Sequence, residues 1–493
     1  MPRLEWPLHI VRRVVIAAVV LTLLAVAVPL TMDWIEDTRS RCADGVVKKG
    51  EADECVGVTD GSYSFDDHLD AVIEKIKEEN DRVAANADEE PYVSVAYMTS
   101  FTLTDDDSNS DESVRHELEG AYLAQYRHNR GDLPASPKIR LLIANPGSRA
   151  GQWEHTVEEL AKRKDSDDRL VAVAGLGPST DRTLAALKRL SEHGLAMVAS
   201  SMTATNIRDI NGFVRVAPTN VDEARAASAY LKREKVRTAV VVQDVADHNL
   251  YARTLGDAFT EAFPDKDGGH RLVAERLTFD SSVRSAWENE LRFIPGQLCQ
   301  RKPEVVYFAG RGQHLTHFLD AIANRTCQEE KFTVITGDDT TNLTAKQLAY
   351  AARTGVRVLY TGLAHPDMWR GAPHSVSAPS AKHFQEGGTL DRWFPNDPRY
   401  DGGAIVAHDS VLTAAQGVRM AARWEGEVTG EAVARMFHQM DGDQQVPGAS
   451  GFIAFQNNGN PRDKAVPILS LDSRGRAAFV ELSAADGAPP QGG

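Results

Sequence analysis

No C-x-x-C pair occurs in the sequence; its four cysteines, Cys42, Cys55, Cys299 and Cys327, stand apart. That excludes the common structural zinc spacings and a thioredoxin-type redox motif. Basic blocks are missing too, and the formal net charge is −15, which argues against a nucleic-acid partner. There is no G-x-S-x-G sequence, and His248, His314 and His408 each stand singly. Neither a hydrolase nucleophile elbow nor a metal cluster is therefore indicated, and no cofactor is expected. Gly175-Leu176-Gly177 follows an apolar run but lacks the third glycine of a dinucleotide fingerprint, Thr180 holding its place. The acidic stretch Thr102–Ser113 lacks the glycine and distal glutamate of an EF-hand loop. It reads as a solvated loop that supplies a helix N-cap.

What is present begins with an address. Arg12 and Arg13 precede an uncharged run, Val14 to Met32, with Asp33, Glu36 and Asp37 beyond it. At about 1.5 Å per helical residue such a run nearly spans a hydrocarbon core of about 30 Å. The arginines favour a cytoplasmic N-terminus, with the rest of the chain exported. A cleaved signal peptide ending near Ala25-Val26-Ala27 is the alternative. On the oxidising side, an even number of cysteines reads as disulfides. Sequence proximity favours Cys42–Cys55 and Cys299–Cys327 among the three possible pairings.

The stretch Arg169–Asn220 sets the pattern for the body of the chain. Apolar runs at Leu170–Ala174 and Ala196–Ala199 each end in small hydroxyl or glycine residues, and Thr183, Leu184, Leu187, Leu190 and Leu195 between them follow helical spacing. This is a β-α-β unit whose strand ends offer Ser179, Thr180, Ser200, Ser201 and Thr203 to a ligand, as open α/β sheets do. The N-terminus of the helix beginning near Ser179 suits a small anion, or is simply capped by Ser179 or Thr180. Further strands are expected at residues 92–98, 139–144, 238–243, 272–277, 304–309, 332–335 and 356–363, alternating with helices, in two successive sets. The alternation implies parallel sheets covered on both faces, hence an α/β chain of two similar lobes. Asp338-Asp339 ends one strand; it reads as turn chemistry, or as a counter-ion for a ligand ammonium group.

Four places in the sequence resemble the leucine/isoleucine/valine-binding family of ABC-transporter receptors, a type I periplasmic-binding-protein fold. They are Phe213-Val-Arg215-Val-Ala-Pro218-Thr219-Asn220 with Glu223-Ala224; Tyr251 to Phe259, with Ala252 where glycine is usual; Ala404 to Ala414, with His408-Asp409 where Tyr-Asp is common; and Gly451 to Asn460. The similarity runs roughly from Tyr92 to Leu482. It implies two Rossmann-like lobes joined by a hinge and closing over a small solute. By position it implies that Ser179, Ser201 and Thr203 meet the ligand's carboxylate, that Tyr251 lines the second lobe and that Asp339 takes the ammonium group. Two departures bear on specificity. The acidic loop replaces a short glycine-containing one, and Arg311 stands where an uncharged or aromatic residue is usual, poised to pair with Asp339 or to admit an acidic side chain.

The expected organisation is a cytoplasmic N-terminus (1–13), an anchor (14–32), a stalk ending in a helix (33–90), a first lobe (91–217 and 359–459), a second lobe (218–358 and 460–483) and a disordered tail (484–493). The function expected is capture of a small, amino-acid-like polar solute outside the cytoplasm for an ABC permease, without covalent chemistry. The alternatives are a sensing module of the same fold acting through a partner membrane protein, a degenerate domain serving protein interaction, and an exported α/β hydrolase.

Overall fold

The structure, a computed structural model, describes residues 12–19, 40–104, 106–133, 135–342, 346, 356–424, 428–471 and 476–484. Residues 12–19 are helical; the rest of the expected anchor, the signal-cleavage alternative and nearly all of the expected tail lie outside the described residues. Among the described residues no helix is long and apolar enough to cross a membrane.

Two mixed sheets form the body. The first contains β1 (Arg41–Ala43), β2 (Val46–Lys49), β3 (Glu54–Thr59), β4 (Tyr92–Met98), β5 (Lys138–Asn145), β6 (Leu170–Gly175), β7 (Ala196–Ala199) and β8 (Phe213–Arg215), in the order β1-β2-β3-β5-β4-β6-β7-β8. Strands β5, β4, β6, β7 and β8 run parallel, whereas β3 meets β5 antiparallel. The second contains β9 (Thr238–Asp244), β10 (Arg271–Leu272), β11 (Leu277–Phe279), β12 (Val305–Ala309), β13 (Thr333–Thr336), β14 (Arg357–Thr361), β17 (Ala465–Leu471) and β18 (Ala477–Ala484); among the described residues β15 (Val446–Pro447) and β16 (Phe452–Ile453) pair only with each other. Its β9, β12, β13 and β14 are parallel, and the terminal hairpin β17–β18 adds antiparallel beside β14. Each sheet has an apolar cluster on either face, as a doubly wound sheet requires. The strand expected at 272–277 is two short strands, β10 and β11, that pair with β9 in turn.

The expected stalk is not a separate element. Residues 41–59 are built into the first lobe as β1–β3, because Val56 and Val58 bury their side chains completely when β3 covers the open edge of β5. Helix α1 (Asp70–Ala85) then lies on the sheet through Val72, Ile73 and Ile76. Its Asn80 replaces part of a ladder, donating Nδ2–H to Leu141 O at 2.8 Å and accepting from Leu141 N at 2.8 Å. The Cys42–Cys55 disulfide ties β1 to β3, and Cys299–Cys327 also forms, so both expected pairings are present.

Further helices of the first lobe include α2 (Asp111–Asn129), α3 (Trp153–Lys164) and α4 (Asp181–Glu192); the second lobe has α5 (Asn220–Arg233), α6 (Leu250–Ala262), α7 (Arg284–Arg301) and α8 (Gly312–Ala323). A late helix, α9 (Gly403–Trp424), returns to the first lobe and buries Ile405, Val406, Val411 and Val418 in that lobe's core. It crosses α2 so closely that a Cβ on Gly120 would lie 1.9 Å from Ala404 O. Among the described residues the chain thus passes between lobes three times, after β8, after β14 and before β17. Because β14 belongs to the second sheet as far as Thr361, the second passage falls slightly beyond the expected boundary at 358/359.

Candidate functional site

The site grows from the loops at the carboxyl ends of the parallel strands, where the two sheets face each other. After β6 the chain turns through Gly175, Leu176 and Gly177, all with positive φ (86°, 73° and 68°). Thr180 then caps α4 through a reciprocal capping box with Thr183, which stabilises the helix start locally. Ser179 is thereby left to a different task. Its Oγ accepts from the backbone N–H of both Thr203 and Ala204 at 3.1 Å, tying the loop after β6 to the loop after β7. From the other side the fully buried Arg215 donates Nη1–H to the carbonyls of Met202 (2.8 Å) and Ala204 (3.0 Å). Donors and acceptors of one short loop are thus gathered by two side chains, and Ser201 and Thr203 are presented to the cleft.

The second lobe contributes the opposite wall. Strand β13 runs into Gly337-Asp338-Asp339. A Cβ on Gly337 would sit 2.3 Å from Tyr251 Oη, so only glycine lets that hydroxyl reach Asp339, whose N–H it accepts at 3.3 Å. Asp339 Oδ2 accepts the N–H of Gly312 at 2.6 Å at the start of α8, where a carboxylate is favoured by the unpaired amides. Its Oδ1 pairs with Arg311 Nη1 at 3.0 Å. The Arg311 guanidinium lies 4.7 Å from the centre of the Tyr251 ring, and its Nη2 donates to Ser179 O in the other lobe at 2.7 Å. Arg311 is therefore both the expected partner of Asp339 and a strap between lobes. A second interlobe bond runs from Thr203 Oγ1 to Asp338 Oδ1, at 3.4 Å.

The inner cleft is lined by Ser201, Thr203, Tyr251, Arg311 and Asp339 from the sequence-derived set, together with Asn109, Glu117, Asp338, Asp401, Gly402 and Gly403. Ser179 stands behind it, 1% exposed, meeting the strap through its carbonyl oxygen. The cleft is closed to a volume of about 20 Å³, which is room for about one water. Beyond Arg311 it widens into an outer mouth of about 670 Å³, which includes the acidic loop (Asp106, Asp107), Arg149, Arg182 and Trp287. That loop also does what the sequence suggests for its end: Ser110 caps α2 with a reciprocal box through Ser113.

Of the cleft carboxyls, the sequence singles out the Asp338-Asp339 pair but neither Glu117 nor Asp401. Glu117 lies on the face of α2 that packs on α9, and accepts from Tyr97 Oη at 2.7 Å. Burial pushes its carboxyl up to about 7, against the lowering effect of the Tyr97 bond. Asp338 is also raised to about 7, chiefly by burial and then by the neighbouring Asp339 charge. Behind it, the fully buried Glu223 is raised well above the usual carboxylate range by burial and by Asp338. Its Oε2 accepts from Thr361 Oγ1 at 2.5 Å and from Asp338 N at 3.2 Å, so it touches both the end of β14 and the turn after β13. A glutamate three residues past Asn220 in the matched crossing, and a charged residue on a helix face otherwise made of Val114, Leu118 and Ala121, are the signals the sequence offers.

His116 shows why one geometric cluster is not a metal centre. Glu112, His116 and Asp397 place ligand atoms within 4.8 Å of one another. Yet His116 gives one ring nitrogen to Asp401 at 2.5 Å and the other to Asp397 at 3.0 Å, which leaves none to ligate. Burial opposes its charge, but the Asp401 and Asp397 carboxylates outweigh that and hold it up at about 10. The matched pair His408-Asp409 is likewise structural and fully buried. Asp409 accepts from His408 Nδ1 at 2.8 Å and from the N–H of Ala449 and Ser450 at 2.8 and 2.7 Å, and so fastens α9 to the first-lobe segment that precedes the third passage. His314 packs edge-on against Trp287 at 4.8 Å; His248 lines the outer mouth.

No family model matches the sequence, and comparison with curated proteins finds no match. Solved structures do match. An ABC transporter substrate-binding protein from Desulfitobacterium hafniense, in complex with Leu, aligns with a TM-score of 0.58 and 16% identity over 80% of this chain and 100% of its own. The branched-chain amino acid transporter substrate binding protein LivJ from Streptococcus pneumoniae, in complex with isoleucine, gives 0.58 and 14% over 80% and 99%. A solute binding protein of an ABC transporter from Rhodopseudomonas palustris, in complex with 4-hydroxybenzoate, gives 0.60 and 13% over 81% and 98%. The chain shares their two-lobed substrate-binding-protein fold.

Proposed function

From that shared fold we propose that the chain is an extracytoplasmic solute-binding protein, anchored in the membrane through residues 14–32, that captures a small polar solute for an ABC permease. The observation that carries this reading is the convergence of Ser201, Thr203, Tyr251, Arg311 and Asp339 on one cleft between the lobes, bridged by the Arg311–Ser179 hydrogen bond. A solute that adds contacts to both walls favours the closed form by its differential affinity, and that is how a two-lobed clamp couples capture to a change of shape. Binding and release are the whole of the activity; no bond in the solute is made or broken.

The test is a thermal-shift screen of the full chain against amino acids, amides, amines, polyols and aromatic acids. A ligand at a hundred times its dissociation constant stabilises by about 2.7 kcal/mol. The shift is expected to vanish in Ser179→Ala/Asp339→Ala, which breaks one support of each wall. A full shift retained in that variant places the site elsewhere. Protease accessibility of the body in intact cells checks the compartment; protection there defeats the extracytoplasmic reading.

A further inference from the structure

The inner cleft brings together four carboxyl side chains, Glu117, Asp338, Asp339 and Asp401, and among the described residues a single basic one, Arg311. A solute's carboxylate placed against Ser201 and Thr203 would meet Asp338, which Thr203 Oγ1 already contacts at 3.4 Å. Two carboxyls at such range cannot both be ionised cheaply, so an anionic solute there would have to be met by a protonated Asp338 or be repelled by it. Behind Asp338 lies the buried Glu223 carboxyl, held protonated by burial and by the Asp338 charge and hydrogen-bonded to the Asp338 side chain. The wall thus crowds carboxyls together, and the basic side chain that lines it, Arg311, is set on Asp339.

Arg311 shows what satisfies it. Its guanidinium has the surroundings of a bound organic cation: the Asp339 carboxylate at 3.0 Å, the Tyr251 ring face at 4.7 Å and the Ser179 carbonyl at 2.7 Å. Carboxylate, aromatic face and carbonyl are the partners a guanidinium or ammonium group prefers. A divalent metal ion has no use for the ring. Arg311 also lines both the inner cleft and the outer mouth, so a swing of this one flexible side chain joins the two spaces and frees the volume it fills.

We propose that the inner cleft is a receptor for a small organic cation, an amine or guanidine, and that Arg311 is its built-in occupant, displaced from Asp339 when the solute binds. The proposal rests on the solute-capture reading and narrows it to a class of ligand. It predicts selectivity for solutes carrying positive charge without a carboxylate, and competition between the solute and residue 311.

The probes are agmatine and putrescine, with leucine, 4-hydroxybenzoate and calcium chloride as contrasts, titrated calorimetrically and by thermal shift against the full chain at up to about 10 mM. Agmatine or putrescine is expected to bind wild-type protein; affinity should rise about tenfold in Arg311→Met, where the internal competitor is gone, and fall about tenfold in Asp339→Asn and in Glu117→Gln. Arg311→Ala serves if the methionine variant does not fold, and the wild-type contrast stands without either. Binding of leucine or 4-hydroxybenzoate but of neither amine overturns the cation class and leaves solute capture standing. Calcium binding lost in Asp339→Asn, with no amine bound, overturns it in favour of an inorganic ion. Silence from every probe in wild-type and in Arg311→Met defeats both readings.

Discussion

The pairing of Arg311 with Asp339 can be measured directly. Their side chains are 8% and 4% exposed, and the contact is 3.0 Å. At that separation two unit charges attract by about 5 kcal/mol in an effective dielectric of about 20. Part of this is offset by the cost of bringing both groups out of water, so the net worth of the pair is far smaller than the cost of breaking it. Arg311→Met keeps most of the stem's packing but leaves Asp339 without its charge partner, which should cost about 3–5 kcal/mol. Asp339→Asn leaves the guanidinium with the Ser179 carbonyl and the Tyr251 ring, and should cost less. The double variant buries neither charge, so it should lose about 2–3 kcal/mol less than the sum of the singles. The assay is a double-mutant cycle by urea unfolding, followed with a probe in each lobe because two lobes need not unfold in one step. The second-lobe transition should carry the coupling. A coupling below about 0.5 kcal/mol would mean that the two residues act independently and that Arg311 is not held as described.

Other consequences follow from the same geometry. His116 is raised in the folded state from 6.5 to about 10, so its stabilisation is full below about pH 6.5 and is lost as pH rises toward 10; urea midpoints at pH 6 and 9.5 should show that decline in wild-type and not in His116→Asn. Gly120→Val drives a side chain into Ala404 O, and thermal unfolding should report a loss of about 1–3 kcal/mol; an unchanged midpoint would separate α2 from α9. Cys299→Ser/Cys327→Ser opens a bridge between residues 28 apart and should lower stability by about 3–4 kcal/mol in the chain-entropy model, an effect that reducing agent should mimic in wild-type and not in the variant.

The alternation of apolar runs and helical periodicity was enough to read two α/β lobes, because parallel strands buried on both faces leave a strong signal in sequence. Two things were not legible. The antiparallel strands at residues 41–59 are short and carry Lys48, Lys49 and Glu54, so their apolar content is too low to announce a sheet; only the open edge of β5, which is a tertiary fact, gives them a place. The cleft was legible where a motif or a strand end named a residue, as for Thr203, Tyr251 and Asp339. It was not legible where a charge sits on a helix face that happens to look inward. Glu117 has the same spacing whether its face meets solvent or α9, and the small residue that decides the matter, Gly120, takes its meaning from Ala404 nearly three hundred residues away in sequence.

That difference changes the chemistry assigned to the site. Motif positions alone suggested a zwitterion, with hydroxyls for its carboxylate and Asp339 for its ammonium group. With Glu117 and Asp401 standing beside the Asp338-Asp339 pair, an anion at the hydroxyl wall meets carboxyls rather than a cation. Ser179, the first residue expected to bind, has its Oγ committed to two backbone amides, so Ser179→Ala leaves two buried donors to be satisfied and should cost about 1–3 kcal/mol in stability before any ligand is added. Affinity lost in that variant is therefore informative only beside its unfolding midpoint. If stability falls while affinity of the folded fraction is unchanged, Ser179 is a strut of the cleft, and recognition lies with the carboxylates across from it.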